Sequence, residues 1–221
     1  MLNEFISEFG ALLAQGTADT LVMVFVSTAI AYVIGIALGV VLHLTAPGGL
    51  RPIPVLNAVL GWVVNIGRSL PFIILLIALM PVTQALVQTS TGVVGVIPPL
   101  VVATAPFVAR MVEQSLAEVS REVVEAAEAC GASVPRIVFS ALLPEAAPSI
   151  VRGVAVTLIA VLGYTAIAGA VGAGGLGDIA IRYGYYRYEN DVMIATVVLL
   201  VVLVQLIQSV CNLIARRIDH R

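Results

Sequence analysis

The sequence predicts an all-α integral membrane protein of five membrane-crossing helices with one polar helical connection, and three observations carry that prediction. The chain is 60% hydrophobic and only 11% charged, with a mean hydropathy of +1.08, so its bulk solvent is lipid. Five apolar stretches, at about 20–44, 54–82, 92–112, 149–171 and 191–215, reach the roughly 20 residues a helix needs to cross the hydrocarbon. Between the third and fourth of these, residues 113–147 turn polar and glutamate-rich. Residues 1–221 together read as a single transmembrane domain.

The balance of charge excludes several function classes. Net charge is −2, so there is no basic footprint for nucleic acid. All eleven basic residues are Arg. Without Lys the chain lacks the side chain that a P-loop extends to nucleotide phosphates, and the amine that a Schiff-base enzyme needs.

The N-terminal MLNEFISEFGALLAQGTADT carries Glu4, Glu8 and Asp19 but no basic residue. It therefore lacks the positive region of a cleavable signal peptide, and the first span is expected to remain. Within that span Gly35 and Gly39 stand four apart, the spacing that lets two membrane helices approach closely. The second stretch contains Pro71 and the third Pro98, Pro99 and Pro106. Helices so broken must pack in a bundle or line a cavity, where neighbours satisfy the freed carbonyls.

An odd number of spans puts the two ends on opposite sides. Arg51, Arg110, Arg121, Arg136, Arg152, Arg216, Arg217 and Arg221 then fall on one face, and Arg182 and Arg187 on the other. The positive-inside rule places the N-terminus outside and the C-terminus in the cytoplasm. Residues 113–147 become cytoplasmic, and Cys130 there stays reduced. Cys130 and Cys211 have neither metal-motif spacing nor an activating neighbour.

Arg68 falls in the middle of the second stretch, where a guanidinium costs about 2.5–3.5 kcal/mol unless it meets water or a partner. Asn65, Ser69 and Pro71 make its neighbourhood polar and broken. Either Arg68 lines a substrate pathway and attracts a carboxylate, or it bridges carbonyls that Pro71 frees. Asn65 and Ser69 are pathway candidates with it.

From Glu113 to Glu128 in the polar connection, five Glu (113, 118, 122, 125 and 128) face one Arg, Arg121. Ser120 is placed to cap a helix that Gly131 would stop. Ser133 and Pro135 look like a second start, with Leu143-Pro144 as its end. The expected product is a helix–turn–helix on the cytoplasmic face. Ala126, Ala127 and Ala129 leave its first helix nearly free of bulk, so a groove in another protein could close on it.

GAGGLG, Gly172 to Gly177, has the spacing of a dinucleotide fingerprint. It follows a membrane helix rather than a strand, so it is expected to be a tight turn. IRYGYYRYEND, just after it, holds four of the six tyrosines; these suit an interfacial anchor, a docking surface for an external protein, or both. Both histidines, His43 and His220, lie at predicted cytoplasmic ends and no G-x-S-x-G occurs. No catalytic residue and no metal site is expected.

Glu125-Ala126-Ala127, Gly131 and then Leu143-Pro144 resemble the E-A-A-x-x-x-G…I-x-L-P signature of the inner-membrane permease subunits of bacterial ABC importers. Ala141 stands where the pattern has Ile. In that family the segment is the coupling helix, so the resemblance implies ATPase-coupling roles for Glu125, Ala126, Ala127, Gly131, Leu143 and Pro144. RSLPFIILL, APFVARMVEQSL, LPEAAP and GYTAIAGAVGAGGLGDI further resemble the methionine branch of these permeases, almost from end to end.

That resemblance implies a type I ABC importer permease fold, a homodimer in the bacterial inner membrane, two ATPase subunits and an external binding lipoprotein. No cofactor is bound by this chain; ATP and Mg belong to the partner ATPase. The pathway would pass Tyr164 and Ile167, the latter standing where Met is expected. The implied activity is methionine import, of the D or L form, by alternating access. An importer for another small amino acid or an organic anion is the alternative, with a stand-alone channel or secondary transporter behind it. The chain shows no internal repeat of the kind secondary transporters carry.

Overall fold

A computed structural model describes residues 2–218 of the chain; His220 and Arg221 lie outside the described residues. Every regular element among the described residues is helical: α1 (Leu2–Thr45), α2 (Pro54–Ser69), α3 (Phe72–Val87), α4 (Gly92–Ala117), α5 (Arg121–Ala129), α6 (Val134–Ile137), α7 (Leu143–Gly169), α8 (Gly175–Ile179) and α9 (Asn190–Ile218). Two single π-helical turns, Val138–Leu142 and Ala180–Tyr185, join α6 to α7 and follow α8. Four helical runs among the described residues are long and apolar enough to cross a membrane, and a fifth arises when the broken pair α2 and α3 counts as one span.

α1 begins well before its apolar stretch. No Pro occurs before Pro47, and Leu, Ala and Gln in the first turns favour the helix. It stops at Thr45, where the residue ahead of Pro47 is turned away from helical geometry. The second apolar stretch is two helices of 16 residues each. Pro71 stands at the N-cap of α3 with ψ near 131°, and its missing N–H ends the ladder there. α4, by contrast, runs unbroken for 26 residues through Pro98, Pro99 and Pro106.

The described residues divide into two compact units, the first made of 2–29, 70–104 and 157–209, the second of 30–69, 105–156 and 210–218. In the second unit α1 and α4 cross closely. A Cβ on Gly39 would stand 2.7 Å from the Ala109 carbonyl oxygen, and one on Gly35 within 3.2 Å of that of Ala105. The small-residue pair is thus used for packing inside the chain. Gly67 likewise admits the Pro106 ring. Val108, Val112, Leu116, Ile137, Val138, Leu142 and Ala146 form this unit's main core, so the polar arm shares a core with α4.

In the first unit Met23, Leu76, Leu100, Val161 and Leu176 are fully buried. α7 and α8 meet backbone to backbone at Gly177, whose Cβ would lie 2.6 Å from both Cα and O of Ala166. The glycine run is the expected tight turn, with Gly172, Gly174 and Gly175 at φ of 80°, 79° and 77°. The Gly92 N–H donates to the Gly172 carbonyl at 2.9 Å and fastens the turn to the start of α4.

Candidate functional site

α5 is the exposed face of the polar arm. None of its nine residues is buried. Val124 and Ala127, three apart, lean on the second unit's core, while Glu122, Glu125, Ala126 and Ala129 point outward. The helix stops in a Schellman turn: the Ala132 N–H donates to the Ala127 carbonyl at 3.1 Å and the Gly131 N–H to that of Glu128 at 2.8 Å. Gly131 takes the left-handed position with φ of 73°, which glycine occupies without steric cost. Ser120 stands at the N-cap, but its side chain makes no capping hydrogen bond. Arg121 and Glu125 are 3.9 Å apart and both well exposed, so that pair adds little to stability.

Leu143-Pro144 does not end the second arm. Val134–Gly169 is one helical run of 36 residues, and the fourth apolar stretch continues it. Pro144 cannot donate to the turn before it, and the Leu143 N–H instead reaches the Val138 carbonyl in a π-turn, which absorbs the lost bond. Leu143 and Ala141 pack on the core cluster, Pro144 is exposed, and Phe139 stands 72% exposed on the π-turn. A groove of about 570 Å³ runs beside α5, with Pro47, Gly48, Leu50, Val124, Glu125 and Glu128 in its walls.

The pathway candidates are dispersed. In the second unit the Arg110 guanidinium donates to Asn65 Oδ1 at 3.0 Å and to Glu113 Oε2 at 2.7 Å. Asn65 is therefore a strut between α2 and α4. Ser69 donates its hydroxyl to the Ile66 carbonyl. Arg68 is exposed in the last turn of α2 and makes no ion pair among the described residues. In the first unit Tyr164 stacks on Phe72 with ring centroids 4.8 Å apart and planes 17° from parallel, while Ile167 is 44% exposed. Sequence reasoning used Arg110 only to orient the chain and passed over Phe72; the i,i+3 spacing of Arg110 and Glu113 was readable as a pair, but nothing local pointed to Asn65.

Because Arg110 holds both a neutral and a charged acceptor, its loss strands Glu113. Arg110→Ala is expected to cost about 2 kcal/mol and Asn65→Ala about 1 kcal/mol, with the double variant no worse than Arg110→Ala. Thermal unfolding in detergent checks the ranking; additive losses would show that the three side chains do not act as one network.

Apolar helical spans carrying one exposed, acidic, core-anchored helix define a multi-pass membrane protein. Residues 31–221 match the family described as binding-protein-dependent transport system inner membrane component. The chain is 49% identical over 210 residues, 95% of its length and 93% of the relative's, to a probable D-methionine transport system permease protein MetI of Vibrio cholerae. It is 44% identical over 180 residues, 81% of each chain, to the methionine import system permease protein MetP of Bacillus subtilis. Among solved structures it matches inward facing conformations of the MetNI methionine ABC transporter with a TM-score of 0.95 at 46% identity, covering 96% of this chain and 99% of that one. An amino acid ABC transporter with histidines shares the fold at a TM-score of 0.76 and 18% identity, over 96% of each chain.

The chain belongs to the binding-protein-dependent transport system inner membrane component family. It is a multi-pass inner-membrane transport permease subunit with the type I ABC importer permease fold.

Proposed function

We propose that this chain is the transmembrane subunit of an ATP-driven importer that brings methionine into the cytoplasm by alternating access. The observation that carries the reading is the near-complete likeness to the methionine transporter permease, a TM-score of 0.95 at 46% identity. Two copies of the chain would form the pathway. Two ATPase subunits, which hold the ATP and Mg, would dock on α5 from the cytoplasm, and an external lipoprotein would deliver substrate. The distribution of Arg supports an outside N-terminus and a cytoplasmic C-terminus. The chain supplies no catalytic group.

Glu125, Ala126 and the Gly131 stop present the docking helix, and Leu143-Pro144 joins its second arm to α7. The continuous run Val134–Gly169 carries the arm into the span without a break in the helix. When the ATPases close, the arms move together, and the spans they end rock between inward-open and outward-open arrangements. Tyr164, Ile167, Arg68, Asn65 and Ser69 are the proposed pathway positions. A stacked aromatic pair such as Phe72–Tyr164 suits a thioether, since sulfur gains about 0.3–1.5 kcal/mol against a ring.

Uptake of labelled methionine into proteoliposomes holding the permease, its ATPase and its lipoprotein tests this. Uptake is expected only when ATP is present on the ATPase side, and unlabelled D- or L-methionine should compete where leucine does not. Uptake independent of ATP would instead indicate a channel or an ion-driven carrier.

A further inference from the structure

A cavity of about 440 Å³ in the first unit plays no part in the docking arm or the proposed pathway. Asp19 of α1, Val93 of α4, the turn at Gly172 and Gly174, and Asp178 and Arg182 line it. Its walls are fixed by backbone as well as side chains: besides the Gly92–Gly172 bond, the Leu176 N–H donates to the Thr20 hydroxyl at 2.9 Å.

Three charged groups face it. Asp178 is 4% exposed and its carboxylate holds the Arg182 guanidinium one helical turn on. Arg182 remains 60% exposed, which leaves part of its fork of N–H groups open beside that pair. Asp19 Oδ1 accepts from the Gln15 amide at 2.8 Å. Its other oxygen, Oδ2, comes within 3.8 Å of the position a Cβ on Gly174 would occupy, and Asp19 has no cationic partner among the described residues. Two carboxylates against one guanidinium leave a single unmatched negative charge.

The donor set selects among cations. No group of three or more His, Cys, Asp or Glu suited to a metal occurs among the described residues, and a divalent ion would want six or more oxygens. An organic ammonium needs one carboxylate. If the same molecule carries a carboxylate, the open edge of Arg182 offers it charge-assisted hydrogen bonds. Gly172 and Gly174 add no side chain to its wall, and the volume falls in the usual range for small-ligand sites, about 300–1,000 Å³.

We propose that this cavity is a receiving site for the zwitterionic head of an α-amino acid, with Asp19 taking the ammonium and Arg182 the carboxylate. It recognises the head group and is indifferent to the side chain. The choice of probe rests on the methionine reading above.

The test uses the full-length chain in lipid nanodiscs, with binding measured for methionine, for leucine and for 4-(methylthio)butanoate, which is methionine without its ammonium. The unmutated chain is expected to bind both amino acids about tenfold more tightly than the des-amino acid. Asp19→Asn should remove that preference and leave the des-amino acid unchanged, and Asp19→Glu should keep it. A merely structural Asp19 would weaken all three ligands alike, and that result overturns the site, as does an unmutated chain with no ammonium preference. Ammonium-dependent binding of leucine and methionine together with failed methionine uptake by the complete transporter would uphold the site and sink the methionine reading alone.

Discussion

Ala126→Trp is expected to reduce ATP-dependent uptake by the complete transporter more than tenfold while leaving the chain's thermal unfolding nearly unchanged. The two effects separate because of where Ala126 stands. It is exposed on α5, on the side away from Val124 and Ala127, so an added indole displaces only water in the isolated chain. Surface substitutions of that kind stay within about 0.5 kcal/mol. Inside a partner's cleft the same indole would occupy the centre of the contact, where loss of a well-packed fit costs about 2 kcal/mol or more. Ala127→Trp provides the contrast. Ala127 packs on the core, so that variant should fail by unfolding first. Equal uptake by Ala126→Trp and the unmutated chain would mean that α5 is not the coupling surface.

A large loss of stability is expected on substituting Gly177. Even an alanine there would place its Cβ 2.6 Å from the Ala166 backbone. Backbone cannot change rotamer, so α7 and α8 must separate, at a cost of about 3 kcal/mol or more. Gly163, also on α7, has no neighbour within 4 Å of a built Cβ; Gly163→Ala should be neutral or stabilising by up to about 1 kcal/mol. Thermal unfolding of the two alanine variants in one detergent makes the comparison. Similar midpoints would show that the α7–α8 contact is not as close as described.

Legibility in the sequence followed the range of the signal. The apolar stretches, the glycine stop at Gly131 and the tight turn at Gly172 are local: each needs only its own residues to be understood. The π-turn before Leu143 was not legible, because Pro144 reads as a helix end unless the core contacts of Val138 and Leu142 hold the chain helical past it. Pro71 and Pro106 show the same limit from opposite sides. One ends a helix and the other lies within one, and what distinguishes them is tertiary: Gly67 makes room for the Pro106 ring. Among the candidate site residues, the exposure of Glu125 and Ala126 could be anticipated from composition. The engagement of Asn65 by Arg110, 45 residues away in sequence, could not. Asp178 and Arg182, at i,i+4 spacing, were a readable pair, but the placing of Asp19 beside them joins segments 159 residues apart and needed the fold.

Docking of an ATPase on α5 is the central claim, and Cys130 offers a direct measure of it. Cys130 is exposed at the end of that helix while Cys211 is buried, so a thiol-directed photocrosslinker attaches at the first. In the complete transporter, illumination should yield an adduct between this chain and the ATPase subunit, with a yield that changes on adding ATP. Adducts to lipid or to a second copy of the chain, with none to the ATPase, would contradict the account.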